Sequence, residues 1–105
     1  MLFEREIQIL NILCSSEDSM TSADIVEAGE RLSQSTVQAV LRKLLQQEFV
    51  DTTEKRYSGN VLSRAYVPTD KAKAEALQQA AEYINQMANL IGVEKAKQIK
   101  EILMK

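Results

Sequence analysis

The sequence predicts a mainly α-helical fold that contains one small β-hairpin and ends in two amphipathic helices. Helix-forming residues dominate its 105 positions, whereas glycine occurs three times and proline once. Apolar residues recur at spacings of three and four over most of the chain, which is the period of a buried helix face. Residues 49–67 depart from this pattern, because β-branched and aromatic residues there flank a Ser-Gly-Asn tripeptide.

The residue inventory argues against several function classes. The chain has no histidine and a single cysteine, which removes nearly every zinc site and the Cys-His and Ser-His nucleophile systems. A lone cysteine also argues against a disulfide framework and fits a reducing cytoplasm. No apolar run of 18 residues occurs, so we expect neither a membrane span nor a signal peptide. No paired-acid site, glycine-rich phosphate loop or nucleophile motif is present, and we therefore expect no enzyme, no cofactor and no metal site.

The distribution of charge is more informative than the net charge of −2. Residues 1–30 hold one basic and seven acidic side chains, and residues 68–105 hold six and five. Residues 31–67 hold six basic and three acidic side chains, so the middle third is basic within an acidic chain. Clustered positive charge attracts a polyanion even where the whole chain is negative.

Residues 2–14 are predicted to form the first helix. Two neighbouring apolar stripes run along it, formed by Phe3, Ile7, Leu10 and Cys14 and by Leu2, Ile9 and Leu13. We expect the first stripe to be the buried face, with Cys14 as a small buried hydrophobe. The second stripe indicates that this helix is covered on two sides.

A short helix, a tight turn and a longer helix are predicted next. Thr21 is an expected N-cap, with Asp24 three residues later in the position of a capping box. The short helix should stop at Gly29, and Ser33 or Ser35 should cap the longer one. This order of elements is the pattern of a helix-turn-helix unit.

The longer helix lies within "LSQSTVQAVLRKLLQQEFV" and has an unusual outer face. No acidic side chain occurs from Leu32 to Gln47, whereas an ordinary solvated helix face, the alternative interpretation, usually carries Glu and Lys together. A face that meets phosphates must avoid carboxylates, because like charges repel. Gln can pair with adenine and Arg with guanine, and Ser and Thr can reach bases or phosphates. We therefore expect residues 34–46 to enter the major groove of DNA, with contacts from Ser33, Gln34, Ser35, Thr36, Gln38, Arg42 and Lys43.

Residues 49–68, which we call the wing, follow this helix. Two strands are predicted, one before and one after the Ser-Gly-Asn tip. Pro68 should end the second strand because it lacks an N–H group. A basic hairpin directly after a helix-turn-helix predicts a winged helix-turn-helix domain over residues 1–68. The candidate phosphate contacts of the wing are Lys55, Arg56 and Arg64, although charges on an edge hairpin also serve simply to block aggregation.

Residues 69–105 are predicted to form a helical dimerisation segment. A long helix capped by Thr69 or Asp70 should run to Gly92, and a last helix follows. Two amphipathic helices have no core of their own and need a partner, most simply the same segment of a second subunit. Apolar residues at heptad-like spacing form the predicted dimer interface, which comprises Leu77, Ala80, Ile84, Met87, Ile91, Ile99 and Leu103.

The segment 32–50 resembles the recognition-helix segment of the penicillinase-repressor family, which includes methicillin-resistance and copper-homeostasis repressors. The residues that match the family pattern in order are Ser33, Thr36, Val37, Gln38, Leu41, Arg42, Lys43 and Leu44. "MTSADIVEAG" is similar to the family's second helix, and "RAYVPT" to its last wing strand. The resemblance implies a cytoplasmic, homodimeric winged-helix repressor bound to a palindromic operator in double-stranded DNA, with Thr36 and Gln38 facing bases and nearby phosphates.

The sequence also departs from this family. It lacks the paired-cysteine copper motif, and its C-terminal segment has no Asn-Phe, where the antibiotic-resistance repressors are cut. Neither copper sensing nor proteolytic induction is therefore implied. "YVPTDKAKAEAL" is equally similar to the strand-to-helix junction of the multiple-antibiotic-resistance and phenolic-acid regulator families. The alternative function is a winged helix that binds another protein and not DNA, because the acidic first helix would suit a basic partner.

Overall fold

The computed structural model describes the backbone of residues 1–105 and every side chain except those of Arg56, Ser58 and Val61. The predicted mainly helical chain with a small hairpin is confirmed. The helices are α1 (Glu4–Ser15), α2 (Ser22–Ala28), α3 (Gln34–Gln46), α4 (Asp70–Gln86), α5 (Ala88–Ile91) and α6 (Val93–Leu103). The strands are β1 (Met20–Thr21), β2 (Val50–Thr52), β3 (Arg56–Ser58), β4 (Val61–Ser63) and β5 (Ala65–Pro68).

The chain divides into two compact units. The first, which we call the N-terminal unit, is Phe3–Ala72, and the second, the C-terminal unit, joins Met1–Leu2 to Lys73–Lys105. Over the described residues, no helix combines the length and the apolar character that crossing a membrane requires.

A three-stranded antiparallel sheet of order β1-β5-β2 lies in the N-terminal unit, and β3 and β4 form a separate hairpin. Each of the two predicted wing strands is therefore broken into two pieces. Gly59 at the hairpin tip has a φ of 65°, which glycine adopts without strain. Pro68 ends β5 as expected. The two-residue β1 was missed, because a strand this short has no alternation to recognise.

The core of the N-terminal unit is aliphatic. Its largest fully buried side chains are Ile9, Ile25, Val37, Leu41, Leu44, Val50 and Thr21. Burial of each large aliphatic side chain contributes roughly 1.5–3 kcal/mol relative to its exposure. Three of these side chains come from one face of α3, so the core fixes which face of α3 points outward.

Helix α1 buries the second of its two apolar stripes as expected, but only Leu10 of the first. Ile9, Leu10 and Leu13 are buried, whereas Phe3 is 55% exposed. Cys14 is also exposed, so the prediction of a buried cysteine is wrong. Both adjacent apolar stripes fit the helical period, and only the contacts that α1 makes with α2, α3 and β5 decide which of their residues are covered.

Side-chain caps start both helices of the helix-turn-helix. Thr21 Oγ1 accepts a hydrogen bond from the Asp24 N–H at 3.1 Å, and Asp24 Oδ2 accepts one from the Thr21 N–H at 3.0 Å. Ser33 Oγ accepts from the Thr36 N–H at 3.1 Å, so Ser33 rather than Ser35 caps α3. Each such cap satisfies a backbone N–H that has no partner in the helix and is worth about 1 kcal/mol.

In the C-terminal unit, the single helix predicted up to Gly92 is interrupted. A turn at Met87 separates α4 from α5, and the Met87 N–H is shared between the carbonyls of Tyr83 and Ile84, both at 3.2 Å. The apolar spacing continues through this turn, which is why the sequence pattern did not reveal it. Gly92, with a φ of 111°, then separates α5 from α6.

Candidate nucleic-acid interface

Helix α3 spans the residues that the sequence predicts for the major groove, Gln34–Gln46. Its inward face buries Val37, Leu41 and Leu44. Its exposed side chains are neutral hydrogen-bonding groups, basic groups and one small alanine, namely Gln34, Ser35, Gln38, Ala39, Arg42, Lys43 and Gln46. The outer face is therefore free of acidic groups along the whole helix.

The N-terminal end of α3 carries a connected set of polar side chains. Ser33 Oγ lies 2.8 Å from Thr36 Oγ1, to which it donates, and 3.3 Å from Ser35 Oγ. Gln34 Nε2 donates a hydrogen bond to Ser22 Oγ of α2 at 2.7 Å. Gln34 thus links the first turns of the two helices, whereas the three hydroxyl groups stay at the end of α3, where backbone N–H groups favour anions.

A cleft of about 370 Å³ opens between the outer face of α3 and the wing. Arg42 and Gln38 reach it from α3, and Arg64 reaches it from the junction of β4 and β5. Among the described side chains, its lining is Ser22, Gln38, Arg42, Leu45, Ser63, Arg64 and Tyr66. None of these residues is acidic, so two guanidinium groups share one cleft without a carboxylate to neutralise them.

The cleft includes residues that the sequence analysis did not assign to the site. Ser22, Leu45, Ser63 and Tyr66 line it beside the predicted residues. Tyr66 belongs to "RAYVPT", which the resemblance matched to the last wing strand, and this match was the only signal in the sequence for it. The other three lie on different elements, and sequence spacing does not report which elements meet.

The remaining basic residues of the wing lie outside the cleft or outside the described side chains. Lys55 is exposed in the segment between β2 and β3 and is absent from the cleft lining. The side chain of Arg56 lies outside the described residues, so its predicted phosphate contact stays a prediction. Of the two basic wing residues whose side chains are described, Arg64 lines the cleft and Lys55 does not.

Lys43 points to a different part of the N-terminal unit. Its ammonium lies 3.8 Å from Glu6 Oε2 and 4.7 Å from the centroid of the Phe3 ring. Successive residues on an α-helix differ by about 100° in direction, which separates Lys43 from Arg42. The structure does not bring Lys43 to the cleft, and DNA contact by this residue stays a prediction.

The apolar residues predicted for a dimer interface are incompletely covered within the single chain. Leu77 is 44% exposed and Ala80 is also exposed. The others are half-buried, namely Ile84, Met87, Ile91, Ile99 and Leu103. Among the side chains that the structure describes, no group of three or more acidic or sulfur ligands could hold a metal ion.

Comparisons with known proteins identify the relatives of this chain. A family model described as penicillinase repressor matches residues 2–101. Among solved structures, the chain is similar to a PadR family transcription regulator from Clostridium difficile R20291, with 19% identity and a TM-score of 0.56 over 82% of this chain and 95% of that one. It is also similar to Lactococcus lactis ZitR, a zinc-responsive MarR family member, with 24% identity and a TM-score of 0.57 over 99% of this chain and 73% of that one.

A third similar structure is smu.1704 from Streptococcus mutans UA159, with 17% identity and a TM-score of 0.56 over 90% of this chain and 94% of that one. No significant match occurs among curated protein sequences. At these identities the solved structures show the fold alone. They confirm the predicted winged helix-turn-helix followed by C-terminal helices.

Proposed function

The chain belongs to the penicillinase repressor family of winged-helix transcription regulators, which are not enzymes, and on this premise we propose that it is a homodimeric repressor that binds a palindromic operator in duplex DNA. In this proposal α3 enters the major groove and the wing contacts the backbone or the minor groove. The C-terminal helices hold two copies together, and repression is the steric exclusion of polymerase.

The observation that carries the DNA-binding proposal is the cleft between α3 and the wing. Two arginines, Arg42 and Arg64, share it, and none of the described residues that line it is acidic. Like charges held close together repel each other, and a phosphate backbone is the partner that would convert this repulsion into attraction. The acid-free outer face of α3 continues the same surface, so a polyanion could lie along the helix and the cleft together.

The exposed groups of α3 suggest how the contacts divide. Gln38 is in the middle of the outer face, and its side chain can pair bidentately with adenine, whereas Arg42 would neutralise a phosphate at the cleft that it shares with Arg64. Ser33, Ser35 and Thr36 cluster at the N-terminal end, where short hydroxyl groups suit phosphates or base edges. Small Ala39 would let the backbone of α3 approach the DNA closely.

The proposed dimer is supported by the exposure of the apolar residues of α4. In a monomer, exposed Leu77 and half-buried Ile84 would leave apolar surface in water, and burial against a second copy removes it. A dimer with two-fold symmetry would present two copies of α3 to half-sites about one helical turn apart, or ~34 Å.

Selection of bound fragments from the source genome, followed by affinity measurements at several salt concentrations, tests the proposal. We expect a duplex target with an inverted repeat, and Arg42→Ala and Arg64→Ala should each weaken its binding. Each substitution should also lower the salt slope by about 0.9 for each phosphate that the variant no longer neutralises. The control is Lys97→Ala, which removes an equal charge from an exposed position of α6, outside the proposed surface. Selection of no duplex fragment at low salt would favour the protein-interaction alternative.

A further inference from the structure

We propose that Glu6 and Phe3 hold the half-exposed side chain of Lys43 against the start of α1, so that Lys43 positions α3 and does not neutralise a DNA phosphate. The positioning of α3 on DNA rests on the proposed function, whereas the contact of Lys43 with Glu6 and Phe3 does not. The inference assigns different roles to two consecutive basic residues, since Arg42 lines the cleft and Lys43 faces α1.

Glu6 occupies a buried position in which one of its carboxylate oxygens has no hydrogen bond from a described atom. Its side chain is only 4% exposed, although it carries a carboxylate. Oε1 accepts a hydrogen bond at 2.9 Å from the N–H of Phe3, the residue that precedes the first turn of α1. Oε2 is buried and has no hydrogen-bond partner among the described atoms. A buried carboxylate oxygen without a hydrogen bond is unfavourable unless a cation compensates it.

The Lys43 ammonium lies beside both Glu6 and the ring of Phe3. It lies 3.8 Å from Glu6 Oε2, and it is 4.7 Å from the centroid of the Phe3 ring, within the range of a cation–π interaction. Lys43 belongs to the last turn of α3, where the helix dipole favours positive charge. Two groups from the start of α1 thus meet one cation from the end of α3.

The contact between Lys43 and Glu6 has a consequence for DNA binding. If Lys43 turned toward a phosphate, the Glu6 carboxylate would lose its compensating cation while a polyanion came near. If Lys43 stays in place, it reinforces, one residue beyond Arg42, the rotation that the buried face of α3 already favours. Arg42, about 100° around the helix from Lys43, is then kept toward the cleft. Lys43 is in this sense a positioning residue.

The N-terminal unit contains a second lysine–glutamate pair, which is exposed. Lys71 Nζ lies 3.3 Å from Glu48 Oε2, and 5.9 Å from the centroid of the Phe49 ring, but Glu48 is 77% exposed. Water can replace Lys71 at an exposed carboxylate, so this pair should contribute little. The Lys71–Glu48 pair is therefore a matched control that has the same chemistry without the burial.

A double-mutant cycle on the full chain without DNA tests the contact. We expect Glu6→Gln and Lys43→Met each to lower the Tm by about 5 °C, and the double variant to fall by clearly less than the sum of the two single decreases. The Met side chain retains the apolar stem of Lys43, which keeps the variant folded. The cycle of Glu48→Gln with Lys71→Met should show no coupling. Additive decreases in the Glu6–Lys43 cycle would overturn the inference.

The salt dependence of DNA binding tests the positioning role. We expect Lys43→Met to weaken operator binding by about tenfold with an unchanged salt slope, and Lys43→Arg to restore most of the affinity. Arg42→Ala should instead lower the slope by about 0.9 per protomer. A slope that falls equally in Lys43→Met would show that Lys43 contacts phosphate and would overturn the positioning role. If the wild-type chain binds no duplex DNA, the proposed function fails, whereas the double-mutant cycle still decides the contact.

Discussion

The outer face of α3 and the apolar face of the C-terminal helices are both incompletely covered in the single chain, but they need opposite kinds of partner. The face of α3 is polar, basic and free of carboxylates. The face of α4 instead includes exposed Leu77 and half-buried Ile84. Charge and hydrogen bonding would drive association at the first face, and removal of apolar surface from water at the second. DNA binding and dimerisation should therefore respond differently to salt, so salt concentration distinguishes the two proposed contacts.

Raising the salt concentration should give the largest separation. With Arg42, Arg64 and Lys55 as phosphate contacts in each protomer, operator affinity should fall by about 10³-fold between 50 and 200 mM salt. Dimerisation should not weaken, because salt does not oppose the burial of apolar surface. Fluorescence anisotropy with labelled operator measures the first quantity, and sedimentation equilibrium measures the second. Parallel weakening of both equilibria would contradict the assignment of the two faces.

Charge placed on the apolar face should have the next largest effect. The double variant Leu77→Asp with Ile84→Asp would bury unpaired carboxylates in the dimer, which is strongly unfavourable. We expect a monomer at micromolar concentration and a decrease in operator affinity of about 10²-fold, because linked half-sites no longer bind together.

The matched control for the apolar face is Gln86→Asp, which introduces the same carboxylate at an exposed polar position of α4. This variant should remain dimeric in sedimentation. Circular dichroism checks that both variants keep their helices. A double variant that stays folded and dimeric would place the interface elsewhere.

Reversal of one charge in the cleft tests the polar face of α3 without changing the apolar face of the C-terminal helices. Arg42→Glu should lower operator affinity by more than Arg42→Ala does, by about tenfold, because a carboxylate there would repel phosphates as well as remove a contact. The dimer should persist, since α3 is outside the proposed dimer interface. Lys97→Glu makes the same change on α6 and should leave operator affinity nearly unchanged. Equal decreases in the two variants would indicate a general effect of net charge.

Removal of the α3 cap should have the smallest effect. Ser33→Ala takes away the acceptor of the Thr36 N–H and should lower the free energy of unfolding by about 1 kcal/mol. Ser35→Ala, two residues later on the exposed side, should change it by less than about 0.5 kcal/mol. Urea denaturation of both variants measures the difference. If Ser35→Ala proved the more destabilising change, the assignment of the cap to Ser33 would be wrong.

Local chemistry is the part of this protein that could be predicted from the sequence. Thr21 with Asp24 forms the expected capping box, and α3 covers the residues 34–46 that the sequence predicts for the major groove. Capping depends on residues three positions apart, and the apolar period of α3 admits one buried face only, so neither feature needed distant information. The absence of acidic residues from the outer face of α3 is likewise a property of the sequence alone.

Only the tertiary structure decided which of several equivalent local patterns was used. The sequence placed two apolar stripes on α1, and the neighbours of α1 selected the one that leaves Cys14 exposed. It placed Arg42 and Lys43 side by side, whereas in the structure Arg42 lines the cleft and the Lys43 ammonium lies 3.8 Å from buried Glu6 Oε2. It did not bring Arg64 to Arg42, because the two residues meet only once the wing lies beside α3. Local propensities extend over a few residues, whereas burial and charge compensation depend on groups that are distant in sequence.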